Sequence, residues 1–358
     1  MDYIYLLEEY MFIKEYYISL IVYFVFLIGY SFLTDIKRSY LKYYVFNIIT
    51  VCYSLFLIYK IGNRSIDVGT DTKNYHFMYY YDDKSGDLLF DILGKFFNNI
   101  GFDFSVFMTF CAGVYIFGTL YACKNFFNKN YFYAFIIFLI YPYFMLFGIN
   151  GVRNGMAASM CLLGLSIYHN KNNKRAVVFL FISILLHLSM IIPIIVFLFR
   201  RFLNYNKQLF IIWLFAIILM LLNINILGVI VPSLPFIGPR FGSYVSVISV
   251  NYDLLSFLTF GIPPIVFAIY VIYKKKFNDR FYIDLLNMYL LIHIFYVFLL
   301  KTVFSIRIGY LAEFLMIVLI SYPLFSYKRI FNSKFFYTIW SCLIFSIFLI
   351  KAYKILVL

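Results

Sequence analysis

The chain has 358 residues, 64% of them hydrophobic and 13% charged, with a formal net charge of +14 and a mean hydropathy of +0.89. These values exclude a soluble globular domain. The positive charge does not indicate a nucleic-acid module, because Lys and Arg concentrate in short connections between apolar runs.

Apolar runs of about 17 to 25 residues recur along the whole length, each sufficient to cross a hydrocarbon core of about 30 Å. The expected fold is therefore all-α, a polytopic integral membrane protein with residues 1–358 as a single transmembrane domain. Spans are expected near 16–34, 42–60, 103–122, 131–149 and 152–169, then near 207–227, 254–273, 282–300, 306–326 and 335–356, about ten in all. Asp2, Glu8 and Glu9 precede the first run where a secretory leader would be basic, so the first helix is expected to be retained.

Lys37, Arg38 and Lys42 place the first connection in the cytoplasm and the N-terminus outside. Lys124 and Lys129, then Lys171, Lys174 and Arg175, agree with that assignment, as do Lys274–Lys276 with Arg280 and Lys328, Arg329 and Lys334 in the second half. The two halves are compatible only if 176–199 enters and leaves on one side, bending around His187-Leu188-Ser189 and Pro193. A bent or re-entrant segment needs protein or a water-filled cavity over its broken backbone, so a cavity is expected there.

Two stretches, 62–101 and 228–252, are expected as long extracytoplasmic loops that contribute to a site. The first holds Asp67, Asp71, Asp82, Asp83, Asp87 and Asp91, and its second half, Asp87 to Ile100, has apolar residues at helical spacing suited to the membrane interface.

Arg153 lies between the apolar runs Tyr131–Ile149 and Met156–Ile167. A charge at that depth costs roughly 2.5 to 3.5 kcal/mol on insertion scales and is usually partnered, turned to a cavity, or functional. With the topology above, Arg64, Arg153, Arg240 and Arg307 all fall toward the outer face. Guanidinium groups bind phosphate bidentately and stay charged, so such a set suits a pyrophosphate without any metal. Each of the four has the alternative of snorkelling or pairing locally. His187, inside an apolar run, is either hydrogen-bonded as a core residue or catalytic, and Asp71 alone reads as a solvated or turn-forming loop aspartate. Glu313 lies deeper in the Arg307 helix on another face and reads as a protonated or paired structural carboxylate. Neither the five cysteines nor the four histidines show metal-ligand spacing, so no cofactor and no metal are expected.

In order along the chain, Gly62-Asn63-Arg64, Gly69-Thr70-Asp71 with Tyr75, Val152-Arg153-Asn154-Gly155-Met156-Ala157, Leu186-His187-Leu188-Ser189, Arg240-Phe241 with Tyr244, and Arg307 with Tyr310 resemble the EpsG-like, Wzy-type polymerases of O-antigen and exopolysaccharide assembly. Asn154 stands where that pattern commonly has glutamine. The resemblance spans roughly residues 60–315. It implies a metal-independent glycosyltransferase of GT-C-like architecture in the bacterial inner membrane, with its site facing the periplasm. The donor would be a glycan on undecaprenyl pyrophosphate, and the acceptor an incoming repeat unit on the same carrier. Asp71 or His187 would be the base, and Arg153 and Arg307 would stabilise the leaving pyrophosphate. Arg64 and Arg240 would secure a carrier, while Tyr75, Asn154, Tyr244 and Tyr310 would line the substrate site. The resemblance admits a chain-length regulator as protein partner and includes no nucleic acid. Two rival readings are a flippase for the same lipid-linked oligosaccharide and an O-antigen ligase.

Overall fold

The computed structural model describes residues 2–33, 39–81, 83–199, 206–222, 224, 261–300 and 305–325. All regular structure among them is helical, and the protein is an all-helical membrane protein. Among the described residues, four segments are both long and apolar enough to cross a bilayer: Glu8–Leu27, Tyr43–Gly62, Phe104–Ile140 and Arg280–Leu299. Large apolar side chains such as Val22, Tyr44 and Val177 are more than 60% exposed, an outward face suited to lipid rather than water.

The described residues form two compact units, one ending at Met190 and the other beginning at Ile191. The first contains α1 (Asp2–Leu33), α2 (Ser39–Gly62), α3 (Thr72–Tyr81), α4 (Leu88–Asn99), α5 (Phe104–Phe127), α6 (Tyr131–Ile140), α7 (Pro142–Ile149), α8 (Val152–His169) and α9 (Asn173–Leu186). Helix α5 is its centre, packed on α2, α6 and α8, while α8 and α9 form a tight antiparallel hairpin through Asn170–Asn172. The close approach in α8 comes from Gly155, Ala157, Ala158 and Ser159, all buried. At Gly155 a Cβ would lie 2.9 Å from the Phe147 carbonyl oxygen, so only glycine allows α7 and α8 to meet there.

Three sequence expectations change. The single span expected at 131–149 is broken between α6 and α7. Pro142 lacks an N–H and pushes Tyr141 to φ −63°, ψ 120°, outside the helical region. The Leu139 carbonyl, which faces this break, accepts the Tyr16 hydroxyl at 2.8 Å instead, so the interruption leaves no orphan there. The stretch 62–101 is largely helical, and its second half forms α4, as the apolar spacing predicts. The helix over 176–199 does break, but at His187 (φ −160°, ψ 120°) and a 3₁₀ turn over Leu188–Met190. Pro193 causes no break, because it sits in the first turn of α10 (Ile191–Phe199), where its missing N–H has no intrahelical acceptor to lose.

The second unit holds α10, α11 (Asn206–Leu221), α12 (Ile262–Tyr273), α13 (Arg280–Leu299) and α14 (Ser305–Phe325). Helix α13 packs on α10, α11 and α14. In its core the Trp213 indole N–H donates to Nδ1 of the buried His293 at 2.8 Å. The span expected at 335–356 lies outside the described residues, as does the stretch 228–252.

Candidate active site

The site begins at the junction of α7 and α8. The helix stops at Ile149 and restarts at Val152, which leaves the carbonyls of Ile149 and Asn150 without intrahelical donors. Two sequence-predicted residues fill those places. Arg64 Nη2 donates to the Ile149 carbonyl at 2.9 Å, and the Tyr75 hydroxyl donates to the Asn150 carbonyl at 2.7 Å. The same guanidinium donates through Nη1 to the Ile61 carbonyl at 2.7 Å and through Nε and Nη2 to Thr72 Oγ1 at 3.2 and 3.1 Å. Arg64 therefore ties together the end of α2, the start of α3 and the end of α7. Burial pushes its pKa down to about 10, which still leaves it charged at neutral pH. The chain can turn into α3 because Gly69 takes φ +89°, and a Cβ there would collide with the side chains of Ile149 and Asn150.

The centre of the site is Asp87, the residue before α4. It has the extended backbone of an N-cap (φ −107°, ψ 106°), yet its carboxylate makes no capping bond to its own helix. It faces the α8–α9 hairpin instead. Asp87 Oδ2 accepts from Arg153 Nη1 at 2.7 Å and lies 2.9 Å from His187 Nδ1, while Oδ1 accepts from the Leu188 N–H at 3.2 Å. Arg153 Nη1 also donates to the Ser85 carbonyl at 2.9 Å. The hairpin explains the meeting: Arg153 is in the first turn of α8 and His187 directly follows α9, so antiparallel packing brings both to one end. The Arg153 guanidinium is also flanked by the rings of Tyr75 and Phe90, at 5.8 and 5.9 Å from their centroids.

Asp87 is only 6% exposed. That burial raises its pKa, but the His187 hydrogen bond, the charges of His187 and Arg153 and the Leu188 N–H together outweigh it and hold the carboxyl below its ordinary range. An ionised Asp87 accepts only, so His187 Nδ1 must be the protonated nitrogen in the contact. In the neutral ring Nε2 then carries the lone pair. A carboxylate that fixes the tautomer and orientation of an imidazole is the arrangement used to prepare a general base.

The other expected residues are placed as follows. Asp71 precedes α3, its carbonyl accepts the Tyr75 N–H at 3.0 Å, and its charge opposes ionisation of the Tyr75 phenol. Burial is the main cause of the raised Tyr75 pKa, against which Arg153 and Arg64 act, so Tyr75 shares one electrostatic neighbourhood with Arg64, Asp71 and Arg153. Asn154 is half-buried beside Arg153. Its Oδ1, together with Asn150 Oδ1, Arg153 Nε and Ser189 Oγ, is buried without a hydrogen-bond partner among the described residues. A buried polar atom left without a bond costs about 1 to 3 kcal/mol, so each of these four can form a hydrogen bond with a water or a ligand. Arg307 and Tyr310 lie in α14 of the second unit. Glu313 is buried in the same helix. Arg240 and Tyr244 lie outside the described residues. Among the described residues no three His, Cys, Asp or Glu side chains are grouped to hold a metal ion.

Asp87, Ser85 and Phe90 complete the cluster, and none of them was singled out as a site residue from sequence. Asp87 was visible as one of six carboxylates in its stretch and as the start of an amphipathic run. No local pattern pairs it with residues 153 and 187.

The sequence profile of the EpsG family matches residues 47–358. No curated protein and no solved structure matches the chain.

Proposed function

Because the chain belongs to the EpsG family, we propose that it polymerises a bacterial surface polysaccharide, an O-antigen. It moves the growing glycan from undecaprenyl pyrophosphate to a hydroxyl on the non-reducing-end sugar of an incoming lipid-linked repeat unit. The proposal places about ten spans of GT-C-like arrangement in the inner membrane, with the site on the periplasmic side. The observation that carries it is the Asp87 carboxylate, which holds the imidazole of His187 and the guanidinium of Arg153 at once.

The reaction follows from that arrangement. His187 Nε2 takes the proton of the acceptor hydroxyl as its oxygen bonds to the anomeric carbon of the donor. The bond from that carbon to the pyrophosphate oxygen breaks, and its electron pair leaves with the lipid pyrophosphate. Asp87 stays ionised and stabilises the imidazolium that forms. Arg153, fixed through Nη1 and by the flanking rings, turns the rest of its guanidinium to the leaving anion, a charge already oriented before the reaction. Arg307 and Arg240 keep the pyrophosphate role that the family resemblance implies for them. Asp71 positions the acceptor, and Tyr75 and Asn154 line its path. Arg64, whose donors are spent on three helix ends, shapes the site rather than binding the carrier.

The lipopolysaccharide ladder of a strain lacking the gene tests the proposal. Loss of a polymerase leaves core sugar carrying a single repeat unit. Core with no repeat at all would instead indicate a flippase or a ligase and would overturn it.

A further inference from the structure

Between α3 and α4 lies an open pocket of about 430 Å³, within the range of about 300 to 1,000 Å³ typical of small-molecule sites. Its floor is aromatic, formed by Tyr75, Tyr79, Phe90 and Phe107. These rings hold one another in place: Tyr79 stacks on Phe107 at 5.3 Å, and Phe90 contacts Tyr75 at 5.8 Å and Phe107 at 5.3 Å between centroids. The Tyr79 hydroxyl is bound to the Phe102 carbonyl at 2.7 Å, so the floor is fixed from behind. The rim carries both signs of charge and neutral amides, with Asp83, Lys84, Lys95 and Asn99 among its groups.

We propose that this pocket binds one sugar ring of the glycan, a reading that rests on the polymerase assignment above. The apolar face of a pyranose fits an aromatic floor, and its ring of hydroxyls fits a rim that mixes donors and acceptors. A rim holding Asp83 beside Lys84 has no single sign to select a phosphate, which separates this pocket from the Arg153 cluster. The two sites are joined nonetheless. Tyr75 and Phe90 line the pocket and also flank the Arg153 guanidinium, and Leu88 at the pocket wall directly follows Asp87. A sugar bound here therefore belongs to a chain whose neighbouring unit reaches His187.

Gly94 provides the test. It lines the pocket, and a Cβ added to it would meet the Phe107 ring at 3.6 Å, an ordinary contact, so a side chain at this position takes up space beside the aromatic floor. The probe is the repeat-unit oligosaccharide of the host strain, released from its carrier by mild acid and titrated calorimetrically into the purified full-length protein. Wild-type protein should bind it, and Gly94→Leu should weaken binding by at least about tenfold. Should Gly94→Leu fail to accumulate, Lys84→Ala combined with Asn99→Ala, both on exposed rim positions, should weaken binding in the same direction. Equal affinity for one and for several repeat units would assign the pocket to the acceptor, and affinity that rises with length would assign it to the growing chain. No binding by wild type, or unchanged binding in the pocket variants, would overturn the inference. Neither result touches the polymerase reading, which stands or falls on the ladder of the deletion strain.

Discussion

Asp87 and His187 are one hundred residues apart in sequence, and their side chains meet at 2.9 Å. The contact requires α4 to begin where the α8–α9 hairpin ends, so the imidazole is oriented by the fold and not by its own helix. Replacing His187 by Gln keeps an amide able to face Asp87 but removes the ring nitrogen proposed to accept the hydroxyl proton. Chain extension should fall by about 10²- to 10⁴-fold, the contribution of a positioned general base, with protein abundance near wild type.

Asp87 neutralises Arg153 while it orients His187. Asp87→Ala leaves a largely buried guanidinium unpaired, a change that costs about 3 to 5 kcal/mol in comparable pairs. Melting in detergent should show a large loss. Adding Arg153→Met to Asp87→Ala should restore part of that loss and none of the polymerisation, because the paired charges are removed together while the chemistry stays absent. Recovery of long chains by the double variant would make the pair purely structural.

The depressed Asp87 pKa gives a pH signature with a definite sign. Its folded value lies below the ordinary carboxyl value of about 3.9, so its contribution to stability is fully present above that pH and is lost as pH falls through the folded value. Below about pH 4 the melting temperature of wild type should therefore drop more steeply than that of Asp87→Asn. Parallel curves would contradict the ionised carboxylate at the centre of the site.

Arg64 should behave differently from Arg153. Its bonds to the Ile61 and Ile149 carbonyls and to Thr72 predict that Arg64→Lys, which can satisfy at most part of this fork, lowers thermal stability, while chain length in the surviving protein stays normal. Arg153→Ala should abolish extension in protein still retained in the membrane, and because it breaks the pair with buried Asp87 it should also lower thermal stability. A melting curve and a polysaccharide gel on the same two variants separate the roles.

Much of this was legible in the sequence. The apolar runs gave α2, α5, α8 and α13, and the rarity of arginine in such runs pointed to Arg153. The conflict of basic clusters drew attention to 176–199, where the helix does break at His187. The interruption at Pro142 was readable from the proline itself but was masked by an apolar run that continues through it. Arg64 was grouped with Arg153 because sequence reports charge and side of the membrane, not whether a guanidinium is already spent on nearby carbonyls. Asp87 was lost among neighbouring aspartates, since its significance comes only from the hairpin that returns residues 153 and 187 to it.

The central claim is that His187, oriented by Asp87, is the base that extends the glycan. It is tested most directly by the length distribution of surface polysaccharide in a strain whose only copy of the gene carries His187→Gln, with protein level matched to wild type. The account predicts core carrying single repeat units. Long ladders of wild-type spacing and intensity would contradict it.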